Sequence, residues 1–194
     1  MENMINGMIT EEEKALADSS IDMALEAGAS AVQVTLDKAK TEIIALLDGE
    51  IDNIRQTGDR ALTFKVFADE KYGVFSTNRL EAESVRELLK MAVENVRLLA
   101  PDKFRRLPDR EETAKDAIRG DEMELCWDGY DSVTAEQRLD MARRVSVFNE
   151  FSTESPDRDW KLVSEEVEYN NTLTDTYLTS SDRIGCRQIE TSFE

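Results

Sequence analysis

Histidine is absent from all 194 residues of this sequence. Catalytic zinc sites held by a single chain almost always include a histidine ligand. The Ser-His and Cys-His pairs of nucleophilic hydrolases need one as well. We therefore predict no catalytic residue, no metal ligand and no cofactor in this chain, and the sequence alone leaves its substrate-binding residues unknown.

Cysteine and long apolar runs are also scarce. The two cysteines, Cys126 and Cys186, are too few and too far apart to indicate a disulfide framework. No stretch has the apolar length needed to span a bilayer. Residues 1–10 lack both the basic side chain and the apolar core of a secretory signal. These features predict a soluble, cytoplasmic protein.

Positive charge is in short supply. Lysine and arginine number 24 against 42 aspartates and glutamates, which gives a formal net charge of −18. Such a chain repels phosphate backbones and anionic membranes unless its basic residues cluster. The densest basic spot is only Lys103, Arg105 and Arg106. We predict no nucleic-acid partner and no membrane partner; the acidity favours solubility or a basic partner.

Two capping boxes mark the starts of helices. Thr10 with Glu13 predicts a helix over about residues 11–27, and Thr134 with Gln137 predicts another. Between them lies the most regular helical pattern of the chain, which ends at Pro101. Its apolar stripe consists of Val85, Leu88, Leu89, Ala92, Val96 and Leu99.

Strand patterns fill residues 31–77. Alternating or continuous apolar runs predict five short strands, near residues 32–36, 43–47, 51–54, 62–67 and 72–76. Turn residues separate them at Asp48-Gly49, Thr57-Gly58-Asp59 and Asp69-Glu70-Lys71. Because the connections are short, we expect an antiparallel meander packed against helices.

Residues 101–131 lose this periodicity and contain Pro101, Pro108 and Gly120. Apolar residues near the end of the stretch are expected to hold it against the core: Leu125, Cys126, Trp127 and Tyr130. Strand character returns within residues 163–193. The class is therefore α+β, in helix-strands-helix order, followed by a second helix-plus-strands unit. We predict an N-terminal unit at 8–110, a loop or linker at 111–131, and a second unit at 132–194 that continues in a longer parent chain.

The order of several short segments resembles the TldD/PmbA family, also called modulators of DNA gyrase. The segments lie at residues 24–29, 31–34, 49–51, 73–78, 80–102, 107–109 and 177–182. The Ala100-Pro101-Asp102 and Leu107-Pro108-Asp109 segments are closer to the PmbA (TldE) branch than to the TldD branch. Arg183 stands where the family usually has a glycine.

The resemblance implies part of a cytoplasmic zinc-dependent metallopeptidase that processes or degrades unfolded peptides by proteolysis. In that family a TldD-type subunit carries a HExxxH motif, and its heterodimer partner of the PmbA type lacks the motif. The implied role of this chain is the non-catalytic N-terminal region of a PmbA/TldE-like subunit, within the substrate chamber or the subunit interface. Zinc is then expected only on a TldD-type partner or beyond residue 194. The implied partners are a TldD-type subunit or a second copy in a homodimer, and unfolded peptide.

An unfolded peptide could pair with an exposed sheet edge, for which the candidates are residues 51–56 and 72–77. We also expect the sheet to leave an apolar face for the rest of the longer chain to cover. One alternative is a non-enzymatic, acidic protein-interaction or scaffold domain. Another is an enzyme using carboxylates or lysine, such as a glycosidase-like pair beside Trp127 and Trp160.

Overall fold

The computed structural model describes residues 7–113, 123–182 and 184–194, so Gly120 and Arg183 lie outside the described residues. The helices are α1 (Glu11–Glu26), α2 (Ala82–Val96), α3 (Ala135–Val145) and the short α4 (Phe148–Phe151). The strands are β1 (Ala31–Leu47), β2 (Glu50–Ala68), β3 (Lys71–Thr77), β4 (Glu166–Ser180) and β5 (Gly185–Phe193). Single 3-10 turns lie at Arg110–Glu112 and Tyr130–Ser132.

All five strands join one antiparallel sheet in the order β3-β2-β1-β4-β5. The predicted α+β class, with an antiparallel sheet packed against helices, is confirmed. β4 pairs with β1 from Gln33 opposite Ser180 to Leu47 opposite Glu166. The strands that follow residue 132 therefore extend the same sheet as the first hairpin. The division into units at residues 111–131 stays a prediction.

Both predicted capping boxes are confirmed. The Thr10 hydroxyl accepts the Glu13 backbone N–H, and the Glu13 carboxylate accepts the Thr10 N–H. Thr134 and Gln137 make the same reciprocal pair at the start of α3. These signals were readable because a cap depends on residues three positions apart and not on the rest of the fold.

The prediction of five short strands within residues 31–77 was wrong, since this stretch forms three strands, two of them long. No turn interrupts the chain at Gly58, which pairs with Lys40 in the middle of β2. A Cβ atom on Gly58 would meet nothing within 4 Å, so packing inside this chain does not require glycine there. The polar residues near Lys38 do not end β1 either, because the Lys38 ammonium pairs with Glu13 at 2.8 Å.

Two tight turns connect the first three strands, as predicted. Asp48 and Gly49 have φ of 53° and 82°, and Asp69 and Glu70 have φ of 52° and 60°. Paired left-handed residues give the twist that matches two antiparallel strands. Glycine meets this demand at no steric cost, whereas Glu70 adopts a conformation that side chains disfavour.

One face of the sheet carries every buried apolar cluster among the described residues. The largest cluster packs α1 and α2 against alternate residues of β1 and β2, which are Val32, Val34, Leu36, Leu62, Phe64 and Val66. A second cluster joins Tyr130 to Leu173 and Ile189. The third packs α3 on Ile44, Leu46 and Tyr169. Tyr130 and Cys126 thus pack against the sheet, as expected, whereas Leu125 and Trp127 stay 43% and 53% exposed.

The opposite face is half-buried and rich in threonine. Cross-strand pairing places Thr35, Thr41, Thr57, Thr63, Thr172, Thr174 and Thr176 on it. Thr41 and Thr172 share a hydrogen bond of 3.2 Å, and Thr176 donates to Asp37 at 2.8 Å. The expectation of a strongly apolar open face was wrong, because small polar residues that bond to each other occupy these positions. Antiparallel sheets tolerate one hydrated face of this kind.

Candidate functional site

The outer edge of β2 is only partly covered by another strand. β3 covers this edge only from Leu62 to Ala68, and residues 50–60 are all exposed. Ile51 and Ile54 are 43% and 56% exposed. An uncovered strand edge presents a row of unpaired N–H and C=O groups to any extended chain.

A β-bulge limits the regular part of this edge. Ala45 pairs with Asn53, whereas the next residue of β1, Leu46, pairs with Ile51. Asp52 is therefore an extra residue on β2, and such a residue bends the strand and interrupts the ladder. The regular, uncovered edge runs over nine residues, 53–61.

The tip of the β1–β2 hairpin is fastened to the segment before β4. The Asp48 carboxylate accepts the Ser164 hydroxyl and the Glu165 backbone N–H, both at 2.9 Å. The Asp48 N–H donates in return to the Glu165 carbonyl at 2.9 Å. These bonds hold in place the tip of the long hairpin formed by β1 and β2, which we call the hairpin arm.

Glu165 also caps the short helix α4. Its carboxylate accepts the backbone N–H groups of Val147 at 2.8 Å and Phe148 at 3.3 Å, together with the Ser146 hydroxyl. The hydrogen bond from Ser146, followed by the one from Val147, holds the pKa of Glu165 below its ordinary value. All three donors favour the ionised carboxylate.

Acid is expected to release this cap. Because the folded-state pKa of Glu165 is lowered, its stabilisation is present above the unfolded pKa and is lost as pH falls through the folded value. The amide resonances of Val147 and Phe148 should therefore shift with a midpoint below the ordinary pKa of a glutamate. Glu165→Gln should abolish the transition; a midpoint above the ordinary glutamate pKa would contradict the assignment.

A buried ion pair connects α3 to the hairpin arm. Arg138 Nη1 donates to Glu42 Oε2, and the two side chains are only 12% and 6% exposed. Gln56 Nε2, from β2, donates to the other Glu42 oxygen at 3.2 Å. With its amide oriented by the groups around it, Asn171 donates to the Glu42 carbonyl and accepts from Arg138 Nε, both at 3.1 Å. One charged pair therefore joins α3, β1, β2 and β4.

A second buried ion pair fastens the segment before α1. The Asp175 side chain is fully buried and accepts two bonds from Arg187, at 2.7 and 2.8 Å. The Ile9 N–H donates to Asp175 at 2.8 Å, and Arg187 donates to the Ile9 carbonyl at 3.1 Å. The hydrogen bonds to Asp175 raise the pKa of Arg187 further, so it is charged at any working pH.

Both arginines of the basic spot predicted from the sequence are paired with acidic neighbours. Arg105 pairs with Asp102 at 3.2 Å and stacks over the Tyr72 ring, and Arg106 pairs with Asp109 at 3.6 Å. The surrounding cleft, of about 480 Å³, is lined by both signs of charge: Asp69, Glu70 and Asp102 with Lys71, Lys103, Arg105 and Arg106. The two signs of charge nearly balance, so the cleft is not a strongly positive site for a phosphate.

The two tryptophans lie in different aromatic clusters. Trp127 packs edge-on against Phe193, beside a groove of about 510 Å³ in which Glu124 is the one carboxylate among the described lining residues. Trp160 stacks on Phe151 under Arg158. A glycosidase needs two carboxylates flanking one bond. The described lining of this groove does not supply that pair.

Over the described ranges, no group of three or more histidine, cysteine, aspartate or glutamate side chains could hold a metal ion. Within the same ranges, no helix is long and apolar enough to cross a membrane.

The sheet order places both predicted strand edges on one side: β3 is outermost, and β2 is uncovered beyond the end of β3. Sequence reasoning missed both buried ion pairs, because their partners lie 96 and 12 residues apart with no pattern that links them.

Comparison with known proteins gives one family match and several related folds. Residues 33–96 match the family model described as PmbA/TldA metallopeptidase domain 1. A "putative modulator of DNA gyrase" from Bacteroides thetaiotaomicron is 25% identical, with a TM-score of 0.79 over 96% of this chain and 40% of its own. A second protein described in the same words, from Thermotoga maritima, is 18% identical, with a TM-score of 0.64 over 93% of this chain and 38% of its own.

TldE from Thermococcus kodakarensis shares the fold at 12% identity, with a TM-score of 0.63 over 92% of this chain and 37% of its own. This chain therefore spans about two fifths of the length of the solved structures it matches. No curated protein matches the sequence significantly.

Proposed function

We infer the function of this chain from the TldD/PmbA family, to which it belongs: residues 33–96 match the family's first domain, and 96% of the chain shares its fold with a relative. The family resemblance predicted from the order of short segments is thereby confirmed. The matched model describes a metallopeptidase domain. The activity, substrate and partners of the whole protein are proposals.

We propose that residues 1–194 are the non-catalytic N-terminal region of a PmbA/TldE-like subunit of a cytoplasmic, heterodimeric zinc-dependent metallopeptidase that acts on unfolded peptides. The observation that carries the proposal is a metallopeptidase-family domain in a chain without histidine. Zinc chemistry in such a family needs ligands that this chain does not offer. They would come from a TldD-type partner or from residues beyond 194.

The edge of β3 is the part of this chain that we assign to peptide. Residues 72–77 carry no charged side chain, whereas residues 53–61 of β2 carry three. Main-chain pairing with a neutral edge accepts many different sequences. Charged cross-strand neighbours would instead discriminate among peptides. A neutral outermost strand is therefore suited to line a substrate chamber that accepts unfolded peptides of varied sequence.

The proposal predicts cleavage that depends on a partner. The full-length protein, incubated with zinc and an unstructured peptide, should be inactive alone and active when mixed with a HExxxH-bearing paralogue. The control is a paralogue in which alanine replaces the glutamate of the HExxxH motif. A mixture made with this variant should not cleave the peptide. Cleavage by the full-length protein alone would overturn the non-catalytic assignment. No cleavage in the mixture, with a paralogue that is active with another partner, would favour the acidic scaffold.

A further inference from the structure

The charges on the free edge of β2 are symmetric about its centre. The regular uncovered edge runs from residue 53 to residue 61, and Thr57 is its middle residue. Arg55 lies two positions before Thr57, and Asp59 lies two positions after it. All three side chains share one face, since strand side chains alternate with a period of two.

Antiparallel pairing of this segment with a second copy of itself, about a two-fold axis at Thr57, therefore matches opposite charges. Each Arg55 comes to lie opposite the other copy's Asp59, and the two Thr57 residues face each other. Opposite charges and threonine pairs both stabilise directly opposed positions. A two-fold interface uses the same patch twice, so every favourable pair is formed twice.

The other face of the strand fits the same register. Gln56 comes opposite Gly58 of the second copy, where a side chain would otherwise meet only open space. A glycine within a strand often marks the close approach of another chain. Ile54, which is 56% exposed, comes opposite Arg60, whose aliphatic stem can cover it.

Both ends of the edge limit the pairing to this length. Beyond residue 61 the edge is covered by β3, since Leu62 pairs with Thr77. At the other end the bulge at Asp52 interrupts the regular ladder. In the two-fold arrangement the bulge of one copy lies next to the place where β3 of the other copy begins to cover its own β2. The regular ladder of each copy therefore ends where it would meet the second copy's β3.

Charge also favours this part of the surface for self-association. The chain as a whole carries −18, so most faces of two copies repel each other. Residues 53–61 carry two arginines and one aspartate, a net charge of +1. Edge charges usually deter pairing with other chains. Here they are ordered so that like charges do not come opposite each other.

We propose that residues 53–61 of β2 form a self-association edge, through which two copies of this chain join their sheets into one continuous ten-stranded sheet. The occupant of the edge is a second copy, aligned with Thr57 on the two-fold axis. This inference stands on the strand geometry and charge pattern and does not depend on the peptidase assignment.

Cross-linking tests the register. Thr57→Cys is introduced with Cys126 and Cys186 replaced by alanine, and the protein is oxidised or treated with a short bismaleimide. Directly opposed residues have Cβ atoms about 4.5–5.5 Å apart, so a covalent dimer is expected. Thr63→Cys is the matched control, because it lies on the same strand and face but between β1 and β3. If the Thr57→Cys variant stays monomeric and forms no cross-link at its highest soluble concentration, the proposal is overturned.

Charge reversal tests the pairing partner. Arg55→Glu and Asp59→Arg should each weaken dimerisation about tenfold or more in sedimentation experiments, since each variant converts two opposed pairs from attraction to repulsion. Mixing the two variants should restore a dimer, because each introduced charge then faces a charge of opposite sign on the other copy. A dimer unaffected by either change, or no recovery on mixing, would place the interface elsewhere. If the cysteine introduced by Thr57→Cys cross-links to an added unfolded peptide and not to a second copy, the assignment is likewise refuted.

Discussion

Asp175→Ala is expected to reduce the free energy of unfolding by about 3–5 kcal/mol, the usual cost of leaving a buried charge without its partner. The Asp175 side chain is fully buried, and the Arg187 side chain opposite it is 18% exposed. Alanine would take both carboxylate oxygens away from the guanidinium and leave it the Ile9 carbonyl. It would also remove the acceptor of the Ile9 N–H.

The damage should appear first at the entry to α1. Ile9 is 5% exposed and directly precedes Thr10, the residue that caps the helix. Hydrogen exchange at residue 9 and in the first turn of α1 should therefore rise more than exchange in β4. Urea unfolding gives the global loss, and exchange gives its location.

Two variants separate the orphaned charge from the other effects of truncation. Asp175→Ala combined with Arg187→Met should be more stable than Asp175→Ala alone, because no uncompensated charge remains. Glu26→Ala is the surface control: Glu26 pairs with Arg86 while 71% exposed, and such pairs contribute about 0–1 kcal/mol. If Asp175→Ala costs no more than Glu26→Ala, the buried pair does not hold the N-terminal segment.

Local signals explain which parts of the fold were predictable. The capping boxes at Thr10 and Thr134 and the turn at Asp48-Gly49 depend on neighbouring residues, and all were predicted correctly. The α+β class followed from the run of strands between helices. The family could also be predicted, because it depends on the order of segments and not on any one contact.

The lengths of β1 and β2 were not predictable, because distant contacts decide them. Lys38 interrupts the apolar pattern of β1, yet its ammonium is paired with Glu13 of α1, so the strand continues. The sequence around Gly58 is typical of a turn, yet Gly58 pairs with Lys40 and lies within β2. Local patterns give no information about such distant partners. The same reason hid the free edge of residues 53–61, which exists only because β3 is short.

Glu42→Ala is the second change expected to have a large effect, again about 3–5 kcal/mol, because it leaves Arg138 buried without its carboxylate. Burial raises the pKa values of Tyr130 and Tyr169 beside this pair, so both rings are neutral and cannot replace the lost charge. Gln56 would lose its acceptor on the arm at the same time.

Helix α3 should respond most strongly. It has 11 residues, of which only Ala142 is buried, and helices of this length are marginal in water without tertiary contacts. Glu42→Ala should therefore raise hydrogen exchange across α3 before the sheet unfolds. Asp140→Ala is the control on the same helix, since Asp140 pairs with Arg144 in an exposed bridge that contributes about 0.3–0.5 kcal/mol.

A double-mutant cycle decides whether the pair acts as a unit. Arg138→Met should also destabilise, because it leaves the Glu42 carboxylate buried without its partner, and Glu42→Ala combined with Arg138→Met should cost less than the sum of the two single changes. A coupling energy near zero would mean that packing of Ala142, Ile44 and Leu46 holds α3 instead. A large coupling energy would mean that the ion pair positions α3 on the arm. Because Glu42 also binds Gln56, loss of the pair should then loosen β2 at the edge that we assign to the second copy.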